Sequence, residues 1–239
     1  MLRCFGISDV GCVRASNEDS YALEPELGLY LVADGMGGAQ AGELASSMAV
    51  QTIIQCVREA APTRTPESLF QAVHMANRNI LQRAAESAEF QGMGTTVVAA
   101  LVDLPSAFIV SVGDSRLYLW RAGRLRRITS DQTWVNEIGR GLGLTDEQIH
   151  VHPFRHVLTM AVGARERIVV HNHRLRLEPA DLLLLCSDGL HGVIGEEVLA
   201  LALEADKSLA EKGKVLISLA LRKGGPDNIT AVLVENQPE

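Results

Sequence analysis

The sequence predicts an α+β fold, a layered sandwich of antiparallel sheets under helices, on three observations. Short runs rich in Val, Ile and Leu recur along the chain, and most end at Gly, Asp or Pro, which is how strands are punctuated. Apolar residues at helical spacing fill a few longer segments. The two kinds of element come in runs and pairs, without the strict alternation of a parallel α/β sheet.

Strands are expected at residues 4–8, 29–33, 95–102, 107–112, 116–121, 168–176, 182–186 and 229–234. Those between 95 and 128 follow one another too closely for crossover helices, so antiparallel hairpins are expected there. Helices are expected at 42–59, 66–88, 196–204 and 209–223. In the second, Leu69, Val73, Ala76, Ile80 and Leu81 recur at helical spacing, and Pro66 suits a first-turn position. In the last, Val215, Leu216, Leu219 and Ala220 form an apolar stripe. Residues 129–163 are polar, glycine-dotted and weakly periodic, the character of an insertion beside a site. With no internal repeat, low-complexity tract or long linker, the simplest organisation is one domain over 1–239.

Composition narrows the function classes. The chain of 239 residues is 47% hydrophobic and 21% charged, enough to bury a sizeable core. Its net charge is −7, and the longest basic feature is the short Arg124, Arg126, Arg127 cluster. A broad basic face for nucleic acid is not expected. Net acidity also repels phosphorylated substrates unless bound cations reverse the local sign. Cys4, Cys12, Cys56 and Cys186 are far apart and make no CxxC pair, so reduced thiols are expected. No segment reads as a leader peptide or a membrane span, and a cytoplasmic protein is expected.

Several aspartates follow or precede an apolar run beside glycine. Asp34 follows Leu29-Tyr30-Leu31-Val32-Ala33 and precedes Gly35; Asp114 follows Val112-Gly113. Asp188 follows 182–187 and precedes Gly189; Asp227 sits in Gly224-Gly225-Pro226-Asp227-Asn228, before 229–234. A strand end fixes the backbone, and glycine removes the Cβ that would hold another group away. One such aspartate reads as an Asx-turn or a cap. Four in the same setting read as carboxylates drawn to one point, where their repulsion calls for a hard dication with oxygen ligands. Near the start, Arg14, Asn17, Glu18 and Asp19 lie close together. An arginine fork matches phosphate oxygens, although a surface salt bridge would use the same residues.

Taken together, these segments resemble the type 2C, metal-dependent protein phosphatases (the PPM family), in particular their compact bacterial members. The resemblance rests on Arg14…Asn17-Glu18-Asp19, Val32-Ala33-Asp34-Gly35-Met36-Gly37-Gly38, Met93-Gly94-Thr95-Thr96, Val112-Gly113-Asp114-Ser115-Arg116, Cys186-Ser187-Asp188-Gly189-Leu190 and Asp227-Asn228-Ile229-Thr230, in the family's order over nearly the whole chain. It implies a four-layer αββα sandwich, two antiparallel β-sheets flanked by paired helices, with residues 129–163 as a flap beside the site. It also implies hydrolysis of phosphoserine and phosphothreonine in proteins by a metal-bridging water, opposing a serine/threonine kinase.

By the same resemblance, two manganese or magnesium ions are held by Asp34 as the bridging ligand, the Gly35 carbonyl, Asp188 and Asp227. Asp114, with Asp188, would bind a third, weaker ion. Glu18, Asp19 and Asn228 would act through water or from behind the ligands, and Arg14 would grip the substrate phosphate. The expected partners are phosphorylated proteins, a serine/threonine kinase and its targets among them, with no nucleic acid, no membrane and a monomeric state. One departure stands out. Ala39 occupies the place, directly after the Asp-Gly-Met-Gly-Gly block, where bacterial relatives often carry a histidine, so the source of the leaving-group proton is open.

Two rival readings remain at this level. A two-metal phosphodiesterase or nuclease shares such a site, but a nuclease normally adds a basic groove. A phosphoprotein-binding pseudophosphatase keeps the fold and loses ligands, yet Asp34, Asp188 and Asp227 are all present.

Overall fold

The computed structural model describes residues 1–37, 39–61 and 65–237, without the side chains of Ala39, Asp146 and His150. Gly38 of the glycine block, the side chain at the departure Ala39, and that of His150 therefore lie outside the described residues.

Two antiparallel sheets stack face to face. The first runs β1 (Leu2–Asp9), β11 (Ile229–Asn236), β10 (Leu182–Cys186), β7 (Arg116–Arg121), β8 (Arg124–Arg127). The second runs β2 (Asp19–Glu24), β3 (Leu29–Met36), β5 (Val97–Asp103), β6 (Ser106–Val112), β9 (His171–Arg176), with the short β4 (Gly94–Thr95) also paired to β3.

Inner-face residues alternate with outer-face residues, as the two-residue period of a strand demands. Tyr30, Val32, Val98, Ala100, Leu183, Leu185, Val232 and Val234 fill the space between the sheets. The alternate residues Leu29, Leu31 and Ala33 pack under α1 (Ala39–Glu59) and α2 (Pro66–Glu86), against Ala45, Ala49, Ile53, Leu69, Val73 and Ile80. On the other side Leu182, Leu184 and Cys186 pack under α5 (Glu196–Glu204) and α6 (Leu209–Arg222), against Leu199, Leu203, Leu216 and Ala220. Both faces of the central strands are covered, so 29–33 and 182–186 read as unbroken apolar runs. Each fully buried Leu or Val contributes about 1.5–3 kcal/mol of transfer free energy.

Local signals fix the helix starts. Thr65 accepts from the Ser68 amide and Ser68 answers to the Thr65 amide, with Pro66 at the first helical position. Ser208 and Glu211 make the same reciprocal box at α6.

The αββα order is the expected one, and the 95–128 strands do form antiparallel hairpins, β5–β6 and β7–β8. Some boundaries differ. β2 and β8 were not expected, because Asp19–Glu24 and Arg124–Arg127 carry few β-branched residues and owe their conformation to pairing with β3 and β7. The expected strand 168–176 is paired only over His171–Arg176. Asp34 and Gly35 lie inside β3 and not beyond its end, since Gly35 and Met36 pair with Thr95 and Gly94. Residues 129–163 hold a π-helical turn at Val135–Gly139 and the short α3 (Asp146–Val151), joined by turns.

Candidate active site

Register brings the predicted acids to one end of the sandwich. Asp19 on β2 stands directly across from Asp34 on β3. Asp188 opens the one-turn helix α4 (Asp188–His191) that follows β10, and Asp227 precedes β11. Because β10 and β11 are adjacent and antiparallel, the exit of one and the entry of the other fall side by side. Asp114 leaves β6 and shares a cavity with Asp188.

Side chains hold this end of the two sheets together. Asp19, buried, accepts from the Ser187 hydroxyl at 2.7 Å and the Thr230 hydroxyl at 2.6 Å, which ties the second sheet to the first. The backbone of Asp34 is gripped three ways. Its amide donates to the Thr96 hydroxyl at 3.0 Å, and its carbonyl accepts from the Thr96 amide at 2.8 Å and the Thr95 hydroxyl at 2.9 Å. Asn228 carries the 11–17 loop: it accepts from the Glu18 amide at 2.8 Å and donates to the carbonyls of Val10 at 3.0 Å and Ser16 at 2.9 Å. That loop presents Arg14, whose guanidinium donates to the Asp227 carboxylate at 2.7 Å.

Glycines let the pieces meet. A Cβ on Gly35 would lie 2.1 Å from the Gly42 carbonyl oxygen and 2.7 Å from that of Glu18. One on Gly189 would lie 1.9 Å from the Asn228 carbonyl oxygen. Gly35→Ala therefore has backbone on two sides and nowhere to relax. We expect it to destabilise the fold by about 1–3 kcal/mol, the range for forcing atoms into a packed interior, and to depress activity with it; urea unfolding checks the first part.

The electrostatics of the cluster follow from crowding. Burial, then the charges of Asp19, Asp188, Asp114 and Asp227, push the Asp34 carboxyl well above the ordinary carboxylate range. Burial and the neighbouring Asp188 and Asp131 do the same to Asp114. Burial raises Asp19 to about 7 against its two hydroxyl donors. Asp188 is raised by burial and by Asp227, with partial relief from His156, a hydrogen bond with Asp34, and Arg14. Burial raises Glu18 too, opposed by Arg14.

His191, half-buried, donates from Nε2 to the Asp114 carbonyl at 3.0 Å; desolvation and the nearby Arg116 hold it neutral, lowered to about 3. Beneath it, Arg116 grips Asp131 with two bonds of 2.9 and 2.6 Å.

The donor chemistry suits a hard dication. The centre is built from carboxylate oxygens, and the buried Oδ1 of Asp19 has no partner among the described residues. Among the described residues no three His, Cys, Asp or Glu side chains are arranged to hold an ion by themselves. As the side chains stand, Asp227 is paired with Arg14, a job that a cation would take over.

The structure thus gathers Arg14, Glu18, Asp19, Asp34, Asp114, Asp188, Asp227 and Asn228 at one end. Sequence reasoning gave no role to Ser187, Thr230, Thr96, Gly42, His191 or the Arg116–Asp131 pair. The available signal was a hydroxyl residue interrupting an apolar strand end.

An αββα sandwich with a carboxylate-lined cleft at one end of its sheets has the architecture of the metal-dependent protein phosphatases. Residues 13–233 match the protein phosphatase 2C family. The serine/threonine phosphatase stp of Listeria welshimeri is 36% identical over 235 residues, covering 95% of this chain and 93% of that protein. The crystal structure of the Mycobacterium tuberculosis serine/threonine phosphatase PstP/Ppp superposes with a TM-score of 0.92 at 35% identity, covering 99% of each chain. A catalytic domain of PstP in complex with two manganese ions superposes with a TM-score of 0.88 at 35% identity, again over 99% of each chain. The chain belongs to the protein phosphatase 2C family.

Proposed function

We propose that this protein is a metal-dependent serine/threonine protein phosphatase that works through the carboxylate centre just described. The observation that carries the reading is the convergence of Asp34, Asp114, Asp188 and Asp227 at one end of the sheets, with one arginine leaning into them.

In this reading Asp34, the Gly35 carbonyl, Asp188 and Asp227 hold two divalent cations, manganese or magnesium, and Asp114 with Asp188 holds a third. When bound, the ions neutralise the cluster, acidify water and draw negative charge from the phosphoryl oxygens. The remaining work falls to the chain. Thr95 and Thr96 fix the Asp34 backbone, while Ser187 and Thr230 keep Asp19 aimed at the centre from behind. Arg14 gives up Asp227 and binds the substrate phosphate, its exposed fork matching two phosphate oxygens. Ala39 offers no proton, so the departing serine or threonine oxygen takes its proton from water in the cleft. Cys186 is buried in β10 with its thiol pushed up by burial, which suits a core residue and not a nucleophile.

The substrates are phosphoproteins, and the opposing enzyme is a serine/threonine kinase. We further propose one catalytic domain across 1–239, with 129–163 as its flap, acting as a monomer in the cytoplasm. Two observations support that placement. The cysteines are all free, and no described helix is long and apolar enough to cross a membrane.

The deciding experiment is phosphate release from phosphothreonine and phosphotyrosine peptides, with manganese and with chelator. Metal-dependent release from phosphothreonine is expected, and phosphopeptide binding without release would overturn the reading. Arg14→Ala is expected to raise KM by about tenfold or more, with a smaller loss in kcat, because a charge-assisted fork to a ground-state phosphate is lost. An unchanged KM would remove that role.

A further inference from the structure

The centre opens on one side into a cavity of about 330 Å³ between the 129–163 segment and α4. Asp114 and Asp188 form its inner wall, so whatever enters it lies beside a phosphate held at the centre. Away from those two acids the wall changes sign. Arg116, Arg127, Arg140 and Arg155 line it, with His156, against only Asp131 and Glu196.

The pairing of these charges is uneven. Arg116 is spent on Asp131, which it grips with both arms. Arg127 reaches the same Asp131 only at 3.6 Å, so one carboxylate serves two guanidiniums. Arg140 is engaged with Asn136. Arg155 has no carboxylate partner among the described residues; its hydrogen bond is a 3.5 Å contact to the His152 carbonyl. His156 next to it lies near enough to Asp188 for its charge to favour that carboxylate. Glu196 sits on the exposed first turn of α5. The wall therefore has cationic capacity that the protein's own acids do not use, on a chain whose net charge is −7. Val135 and Ile149 add apolar surface to the same wall.

We propose that this cavity is a subsite for a second anion on the substrate, a carboxylate or a phosphate flanking the phosphoresidue, received by Arg155 and Arg127. This rests on the phosphatase reading above and adds a sequence preference to it: acidic or multiply phosphorylated segments are the better substrates. Electrostatic complementarity of this kind sets specificity more than raw affinity. For exposed guanidiniums such as these the gain is modest, about three- to tenfold in kcat/KM, since solvent screens the pair.

The test uses the whole chain with manganese and phosphothreonine peptides that differ at one flanking position, scanned on both sides. The flank is alanine, glutamate, or a hydrolysis-resistant phosphonate analogue of phosphoserine. A higher kcat/KM for an anionic flank over alanine is expected on one side of the phosphothreonine. Whether glutamate or the phosphonate gives the larger ratio identifies the source of the anion. In Arg155→Ala combined with Arg127→Ala the ratio is expected to fall towards one, and Arg155→Lys should retain part of it, since a point charge survives where the fork is lost. A flat ratio in the unaltered protein, or a preference that persists in the double variant, overturns the subsite while leaving the phosphatase reading standing. Failure to hydrolyse even the alanine-flanked peptide would bring down both.

Discussion

Asp34→Asn is expected to abolish phosphate release and, in chelator, to raise the melting temperature. Both effects follow from the same crowding. Asp34 faces Asp19 across β2–β3, and burial plus four nearby carboxylates force it towards its protonated form. In the unfolded chain this aspartate is ionised at neutral pH, so folding without a cation must neutralise or bury a charge. Asparagine keeps the volume and removes the charge. The backbone grip by Thr95 and Thr96 does not involve the altered side chain, so the local fold should persist. A relief of about 1 kcal/mol would raise the melting temperature by about 2–4 °C for a chain of this size. The same replacement removes the proposed shared ligand, and activity should fall by more than about a hundredfold, beyond the range seen for residues that merely support ligands. Near-normal turnover, or a lowered melting temperature in chelator, would contradict the assignment.

That opposition between stability and function also explains what could be read from the sequence. Strands 29–33 and 182–186 were legible because burial on both faces demands continuous apolar residues, and α2 because Pro66 and its apolar face obey helical spacing. The aspartates were legible for the opposite reason: a charged residue abutting a buried strand has no place in a packing argument. What escaped lies between elements distant in the chain. β2 takes its conformation from β3, and nothing within Asp19–Glu24 announces it. The support given to Asp19 by Ser187 and Thr230 spans separations of 168 and 211 residues. Gly42 looks like an ordinary helix residue, yet a Cβ there would lie 1.9 Å from the Glu18 carboxylate oxygen Oε2. The 129–163 segment gave up least, since its arginines and histidines acquire meaning only once Asp188 is placed against them.

Chelation should silence the enzyme and also give its stability an unusual dependence on pH. The carboxyls of Asp19, Asp34, Asp114 and Asp188 are all raised in the folded chain, Asp19 to about 7. A group whose folded value lies above its unfolded one binds protons more tightly in the native state, so its contribution is complete at low pH and is lost as pH rises. The loss begins near the ordinary aspartate value of about 4 and runs through neutrality. His191 acts in the opposite sense: lowered to about 3, it penalises the fold as pH drops below the usual histidine range. Comparing about pH 7.5 with about pH 8.5 keeps that histidine neutral in the fold and about nine-tenths neutral in the unfolded chain, so the carboxylates set the slope. In chelator the melting temperature should therefore fall between those two values. Manganese should abolish or reverse the slope, because bound cations favour the ionised carboxylates and bind more tightly as protons leave. At about a hundred times its dissociation constant the ion adds about 2.7 kcal/mol of stability. A melting temperature in chelator that climbs towards alkaline pH, or a slope indifferent to manganese, would mean that these acids do not form one titrating, cation-seeking cluster.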